Sequence, residues 1–209
     1  MKVVRYLFIL TIFFIVLSVS FNIYAYNSSF YKKEFEKYKV YDDVKNADEL
    51  HGKVIDFIKG QSNILPDEFS QREKSHLEDV RNVIKTSNML FYFFAAAYVI
   101  LSVYLSKNGN DRKKEFGNII FYSGIFTIAF GALLFLFVYF NFDSTFEVFH
   151  KLFFSGGTYM FDPSKEIIVR LYPEQLFMDI GMRIAMATFI ISLLLITAGA
   201  VSRKKNSAK

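Results

Sequence analysis

Ile119-Ile120-Phe121-Tyr122-Ser123-Gly124-Ile125-Phe126-Thr127-Ile128-Ala129-Phe130-Gly131-Ala132-Leu133-Leu134-Phe135-Leu136-Phe137-Val138-Tyr139-Phe140-Asn141-Phe142 is a run of twenty-four residues without a charge. At a rise of ~1.5 Å per residue such a helix reaches roughly 36 Å, enough to cross a hydrocarbon core of about 30 Å. Three further blocks, Tyr6–Tyr26, Met89–Leu105 and Ile184–Val201, have similar composition. In a bilayer the backbone must satisfy its own hydrogen bonds, so each is expected as a helix. The expected fold is an all-α membrane protein with four transmembrane helices, at 1–26, 89–106, 117–142 and 176–202. A small, mostly helical domain is expected from the two larger loops, 27–88 and 143–175.

Charge orients the chain. Ten cations sit before the first span, in the loop 107–116 and in the tail 203–209, against only Asp111 and Glu115. The loop 27–87 holds 11 cations and 12 anions, and 142–180 holds 3 and 6. The positive-inside rule then places both termini in the cytoplasm and both larger loops outside the cell. The net charge of +5 follows from this asymmetry and is no argument for nucleic acid. Met1–Arg5 resembles the start of a secretory signal, but the apolar run exceeds a usual signal core and Ile23-Tyr24-Ala25-Tyr26 makes a poor cleavage site. The first span is therefore expected to be retained.

With no cysteine there is neither a disulfide framework nor a thiol nucleophile. In the first outer loop, Asn46-Ala47-Asp48-Glu49 is a capping-box pattern, followed by Leu50, Val54, Phe57 and Ile58 on one face and Gly60 as the stop. His51 on that helix is expected to be exposed. Ser70-Gln71-Arg72-Glu73 opens a second helix, with Leu77, Val80 and Ile84 on one side and His76 and Asp79 on an adjacent face. Asp79 either orients the His76 imidazole or belongs with it to a solvated charged stripe.

The second outer loop carries Ser144-Thr145-Phe146-Glu147, a third capping-box pattern. A short helix from there aligns Phe146, His150, Phe153 and Phe154, a face suited to the membrane interface. Ser155-Gly156-Gly157 ends it and Asp162-Pro163 marks a turn. Ile167–Leu171 is expected to be extended or re-entrant, and Tyr172-Pro173-Glu174 to start the last helix. Asp179 and Arg183 stand one turn apart near the outer boundary, as a functional pair or as one that lowers the cost of the helix end. Gly117, Gly124 and Gly131, spaced by seven, read as a helix-packing face.

His76, Asp79 and His150 lack the spacing of a zinc site, and neither a Gly-rich phosphate loop nor a serine nucleophile elbow is present. No metal or other cofactor is expected.

Glu73-Lys74-Ser75-His76-Leu77-Glu78-Asp79-Val80 resembles the H-x-x-D-V signature of the bacterial lipoprotein intramolecular transacylases. Phe149–Pro163 together with Ile168–Glu174 is similar to that family's second outer segment, and Phe30-Tyr31 after the first span also fits. Tyr159 stands where many members carry tryptophan, and Ser155-Gly156 where proline is more usual. The resemblance covers essentially the whole chain. It implies a diacylated bacterial lipoprotein as substrate, alongside membrane lipids. The sn-2 acyl chain of its S-diacylglyceryl-cysteine would move to the cysteine's own α-amino group, giving a lyso-form lipoprotein. His76 and His150 match the histidines on which that chemistry would rest.

Ester-to-amide exchange runs downhill and needs no activated donor. A neutral imidazole can take the proton of an attacking amine with pKa near 8, and an imidazolium can protonate the departing alkoxide. Which histidine does which stays open. Arg170 or a backbone amide near Gly156-Gly157 is the candidate for holding the oxyanion. Because a straight helix would lift His76 roughly 20 Å above Met89, a break is expected at Thr86-Ser87-Asn88, with the two imidazoles within about 15 Å of each other. Two other classes remain: a non-enzymatic lipid- or lipoprotein-binding or assembly factor with packed histidines, and a metal-dependent lipid hydrolase.

Overall fold

The computed structural model describes residues 2–108, 111–154 and 159–207, with side chains as far as Lys204. The regular elements among the described residues are helices: α1 Lys2–Ala25, α2 Ser28–Lys37, α3 Val40–Asp43, α4 Ala47–Ile58, α5 Gln71–Asn108, α6 Arg112–Phe140, α7 Phe142–Phe153, α8 Ile168–Leu171 and α9 Glu174–Ser207. Helices α1, α5, α6 and α9 are each long and apolar enough to span a membrane. The chain divides into two compact units.

The first unit contains residues 1–22, 88–136 and 183–209. Phe8, Ile12, Val16, Leu105 and Ile119 form its core, while Phe93, Ile100 and Leu194 are well exposed. An apolar outside is what a lipid solvent asks for and what water would punish. Three buried hydroxyls in this unit bond back along their own helices, Ser123 to the Ile119 carbonyl, Thr127 to Ser123 and Ser192 to Thr188. Helices α6 and α9 touch backbone to backbone. A Cβ on Gly124 would stand 2.7 Å from the Ser192 carbonyl oxygen, and one on Gly199 2.5 Å from the Phe121 nitrogen. The seven-residue glycine spacing thus does serve packing, most tightly at Gly117 and Gly124 and loosely at Gly131, where the nearest atom is 3.9 Å away.

The second unit contains residues 23–87 and 137–182. The stripe on α4 behaves as its period demands: Leu50, Val54 and Phe57 are buried among Phe35, Val40, Phe69, Leu77, Ile168, Leu171 and Leu176. Gly60 ends α4 at φ +75°, with its N–H on the Phe57 carbonyl and that of Gln61 on Asp56, a Schellman closure. The Ser70–Glu73 capping box forms in full: Ser70 N–H donates to Glu73 Oε2 at 2.6 Å and Glu73 N–H to Ser70 Oγ at 3.3 Å.

Several expectations are corrected. α5 runs unbroken through Thr86-Ser87-Asn88; the Thr86 hydroxyl donates to the Asn82 carbonyl one turn back instead of capping a new helix. α7 begins at Phe142, not after Ser144, and the Thr145 hydroxyl likewise donates back to the Asn141 carbonyl. Ile168–Leu171 is a single helical turn, held at its start by a side chain described below. The turn expected at Ser155-Gly156-Gly157 lies outside the described residues.

Candidate active site

The second unit brings His76 and His150 together. His76 stands on the second turn of α5, fixed in register by the Ser70–Glu73 box, and His150 on the last turn of α7. Their ring centres are 6.2 Å apart and the planes are within 17° of parallel. Both are nearly closed to bulk water, at 8% and 9% exposure.

Aromatic rings enclose the pair. Phe154 lies 4.8 Å from His76 and 5.1 Å from His150, and Phe161 lies 5.3 Å from His76. Phe146 and Tyr159 contact His150 at 4.1 and 5.0 Å. The end of α7 and the segment from Tyr159 to Phe161 therefore supply one cage, whose outer rim on α7 is the exposed apolar set Val148, Phe149, Leu152 and Phe153.

Burial governs the electrostatics. His76 is pushed down to about 4, first by loss of water, then by the nearby His150, with Asp79 pulling the other way. His150 is also lowered by burial, opposed by its bond to the Phe146 carbonyl. At neutral pH both rings are uncharged. The Phe146 bond, 2.7 Å from Nδ1, requires Nδ1 to carry the proton, which leaves Nε2 of His150 as a bare lone pair. Nδ1 of His76 is buried without a hydrogen-bond partner. The arrangement can accept a proton at one ring and exchange one at the other.

Glu73 ties the site together in a way its capping pattern alone does not announce. Only 2% exposed, it accepts from Ser70 N–H with one oxygen and, with Oε1, from the N–H of Ile168 at 2.7 Å. Arg72 lies over the Phe161 ring at 5.4 Å, pairs with Glu166 at 3.9 Å and donates to the Met160 carbonyl. The first turn of α5 thus holds the segment that presents Tyr159 and Phe161 to the imidazoles.

The other candidates are distributed differently. Asp79 acts on His76 through its charge. Arg170 donates to the Glu166 carbonyl of its own turn at 3.4 Å rather than to the pair. Asp179 takes Lys37 and the Tyr38 hydroxyl as partners, the latter at 2.6 Å, not Arg183. Arg183 is exposed. Gly156-Gly157 lies outside the described residues. His51, expected on the surface, is 4% exposed, with Nδ1 2.9 Å from the Tyr172 hydroxyl. Among the described residues, no three histidine or acidic side chains are grouped to hold a metal ion.

Residues 6–177 match the family model described as lipoprotein intramolecular transacylase Lit. An uncharacterized protein of Aquifex aeolicus (strain VF5) is 26% identical over 136 residues, covering 65% of this chain and 58% of the relative; the match thus spans under two thirds of that relative's length. Among solved structures, the in meso structure of the membrane integral lipoprotein intramolecular transacylase Lit from Bacillus cereus aligns with a TM-score of 0.87 at 23% identity, covering 100% of this chain and 98% of that one. A form of the same protein with a histidine-to-alanine mutation aligns with a TM-score of 0.83 at 23% identity, over 100% and 96%. These structural likenesses show the fold.

Proposed function

Because the chain belongs to the lipoprotein intramolecular transacylase family, we propose that it moves an acyl chain within one diacylated lipoprotein. The bond broken is the ester between the sn-2 acyl carbonyl and the glyceryl oxygen. The bond formed is the amide between that carbonyl and the α-amino nitrogen of the lipid-bearing cysteine. Nitrogen gives up a proton, the glyceryl oxygen gains one, and no other reactant is consumed.

The observation that carries the reading is the pair of caged, neutral imidazoles 6.2 Å apart. His150 is the base at nitrogen. Its unprotonated Nε2 is the nitrogen that takes the proton, and the imidazolium that forms keeps the Phe146 carbonyl as a partner for its Nδ1 proton. His76 serves the oxygen. His76 is neutral at rest because burial and His150 both disfavour its charge, so the proton it delivers to the glyceryl alkoxide is the one His150 takes from nitrogen and hands on to it. The two rings stand close enough for one bound substrate to reach both ring edges, and the proton lost at nitrogen is replaced at oxygen through the pair. Holding amine and ester of one molecule together removes most of the entropic cost of their meeting. Asp79, by its charge, tempers the loss of basicity at His76.

The charge distribution supports cytoplasmic termini and a site on the extracellular side of the cell membrane. The apolar rim of α7 beside His150 supports entry from lipid. A lipid-borne ester can travel along that rim, which removes the need for the His76 helix to fold down. Mass spectrometry of one lipoprotein's N-terminal peptide, from cells with and without this chain, tests the reading. An acyl group shifted from glycerol to nitrogen only when the chain is present is the expected result; unchanged diacylglyceryl-cysteine would defeat it.

A further inference from the structure

His51 and Tyr172 make a second buried polar pair that the proposed chemistry leaves unused. His51 on α4 is 4% exposed, with Nδ1 2.9 Å from the Tyr172 hydroxyl and Nε2 buried without a hydrogen-bond partner. Its ring lies 4.1 Å from Tyr31 and 5.6 Å from Phe35. A half-satisfied polar group in such a cage is costly, and two apolar rings of the same size would fill the space at no loss of stability. The bond therefore calls for a use other than stability.

Its position supplies one. Tyr172 is the corner residue between α8 and α9, in extended-side backbone at φ −124° and ψ 74°. Phe177, just inside α9, lies 6.4 Å from Tyr172 and 5.6 Å from Phe146. Phe146 in turn packs 4.1 Å from His150 and supplies the carbonyl that fixes its tautomer. A continuous line of contacts runs from His51 through Tyr172, Phe177 and Phe146 to His150.

We infer that His51 is a positioning residue, which through its bond to Tyr172 seats Phe177 behind Phe146 and so sets the angle at which His150 meets the substrate amine. The inference rests on the reading of His150 as the base. His51 does not touch the reacting atoms.

The test uses the full chain in micelles with a synthetic diacylated lipopeptide, comparing wild type, His51→Phe, Tyr172→Phe and the double variant. The double variant is expected to melt no lower than wild type, while each single leaves one buried partner unpaired and melts somewhat lower; all three are expected to lose roughly tenfold in kcat with KM little changed. The double variant is expected to lose no more than either single, since one bond is broken once. A second readout is independent of turnover. The chain has three histidines, so isotope-labelled imidazole signals can be assigned by single removals, and the His150 signal is expected to move in Tyr172→Phe, with its titration midpoint displaced by roughly half a pH unit.

Wild-type turnover in both singles together with an unmoved His150 signal overturns the proposal. So does a double variant that regains both wild-type melting and wild-type kcat, or kcat losses that add in the double variant. A wild-type chain without turnover would count against acyl migration itself, and the His150 signal would then decide the link alone.

Discussion

The Nδ1 proton of His150 is held by the carbonyl oxygen of Phe146, one turn back on α7, at 2.7 Å. His150 itself stands in the last turn of α7, where partial negative charge accumulates and a histidine cation is favoured. Within the pair, His150 is thus the ring better able to carry charge during the reaction, although burial lowers it at rest.

Removing either imidazole should therefore stop acyl migration without unfolding the chain. His150→Ala and His76→Ala are each expected to lower turnover by roughly 10²–10⁴-fold, with protein level and helix content unchanged. The measurement is the ratio of N-acyl to diacylglyceryl peptide by mass spectrometry, alongside immunoblotting. If both variants keep producing the lyso form, the rings only pack, and the binding-factor reading takes over.

The pH response follows from burial. His76 and His51 are each pushed down to about 4, against about 6.5 in an unfolded chain. Above pH 6.5 both are neutral folded or unfolded, so they add no pH dependence. Between pH 6.5 and about 4 the unfolded chain binds protons that the folded chain refuses, so stability falls as pH falls. The expected loss is on the order of 2 kcal/mol per histidine across that window. Denaturation at pH 7 and pH 4.5 measures it, and His51→Phe should flatten the difference. A His51→Phe chain whose acid sensitivity equals wild type would refute the assignment.

Run length and charge made the four spans readable from sequence, and the Ser70–Glu73 box with the α4 stripe gave two of the outer helices. The histidine pair came from motif resemblance, since its two members are separated by most of the outer unit's sequence. What escaped the sequence depended on distant partners. His51 lies beside the Leu50–Val54–Phe57 stripe, and Tyr31 and Tyr172, far away in the chain, bury that flank. Asp179 had a helix neighbour at the right spacing in Arg183, but Lys37, 142 residues distant, takes the carboxylate. Thr86 carries a capping side chain, yet within a helix so strongly supported on both sides its hydroxyl turns back to Asn82.

Glu73 should prove the most sensitive non-reacting residue of the outer unit. Its buried carboxylate accepts from two backbone donors, Ser70 at 2.6 Å and Ile168 at 2.7 Å. Truncation to alanine leaves the buried Ile168 N–H and the Ser70 N–H without their acceptor, a cost of about 2–4 kcal/mol. Glu73→Gln keeps one carbonyl oxygen as acceptor and should lose less. Thermal melting in detergent measures both; equal melting of the two variants would mean that the acceptor oxygen glutamine retains contributes nothing.

In the membrane unit the glycines divide into those that permit contact and those that merely accompany it. A Cβ at Gly199 would lie 2.5 Å from the Phe121 nitrogen and 2.7 Å from its Cα, both backbone atoms that cannot rotate away. One at Gly131 would meet only the Thr188 methyl at 3.9 Å, an ordinary contact. Gly199→Ala must therefore push α6 and α9 apart, and a membrane bundle held by close packing has little else to replace what is lost. Its melting temperature should fall by several degrees, the equivalent of about 1–3 kcal/mol. Gly131→Ala removes a helix-interior glycine at no steric cost and should leave stability equal or slightly raised. Should the two substitutions rank the other way, the α6–α9 contact is not made where Gly124 and Gly199 put it.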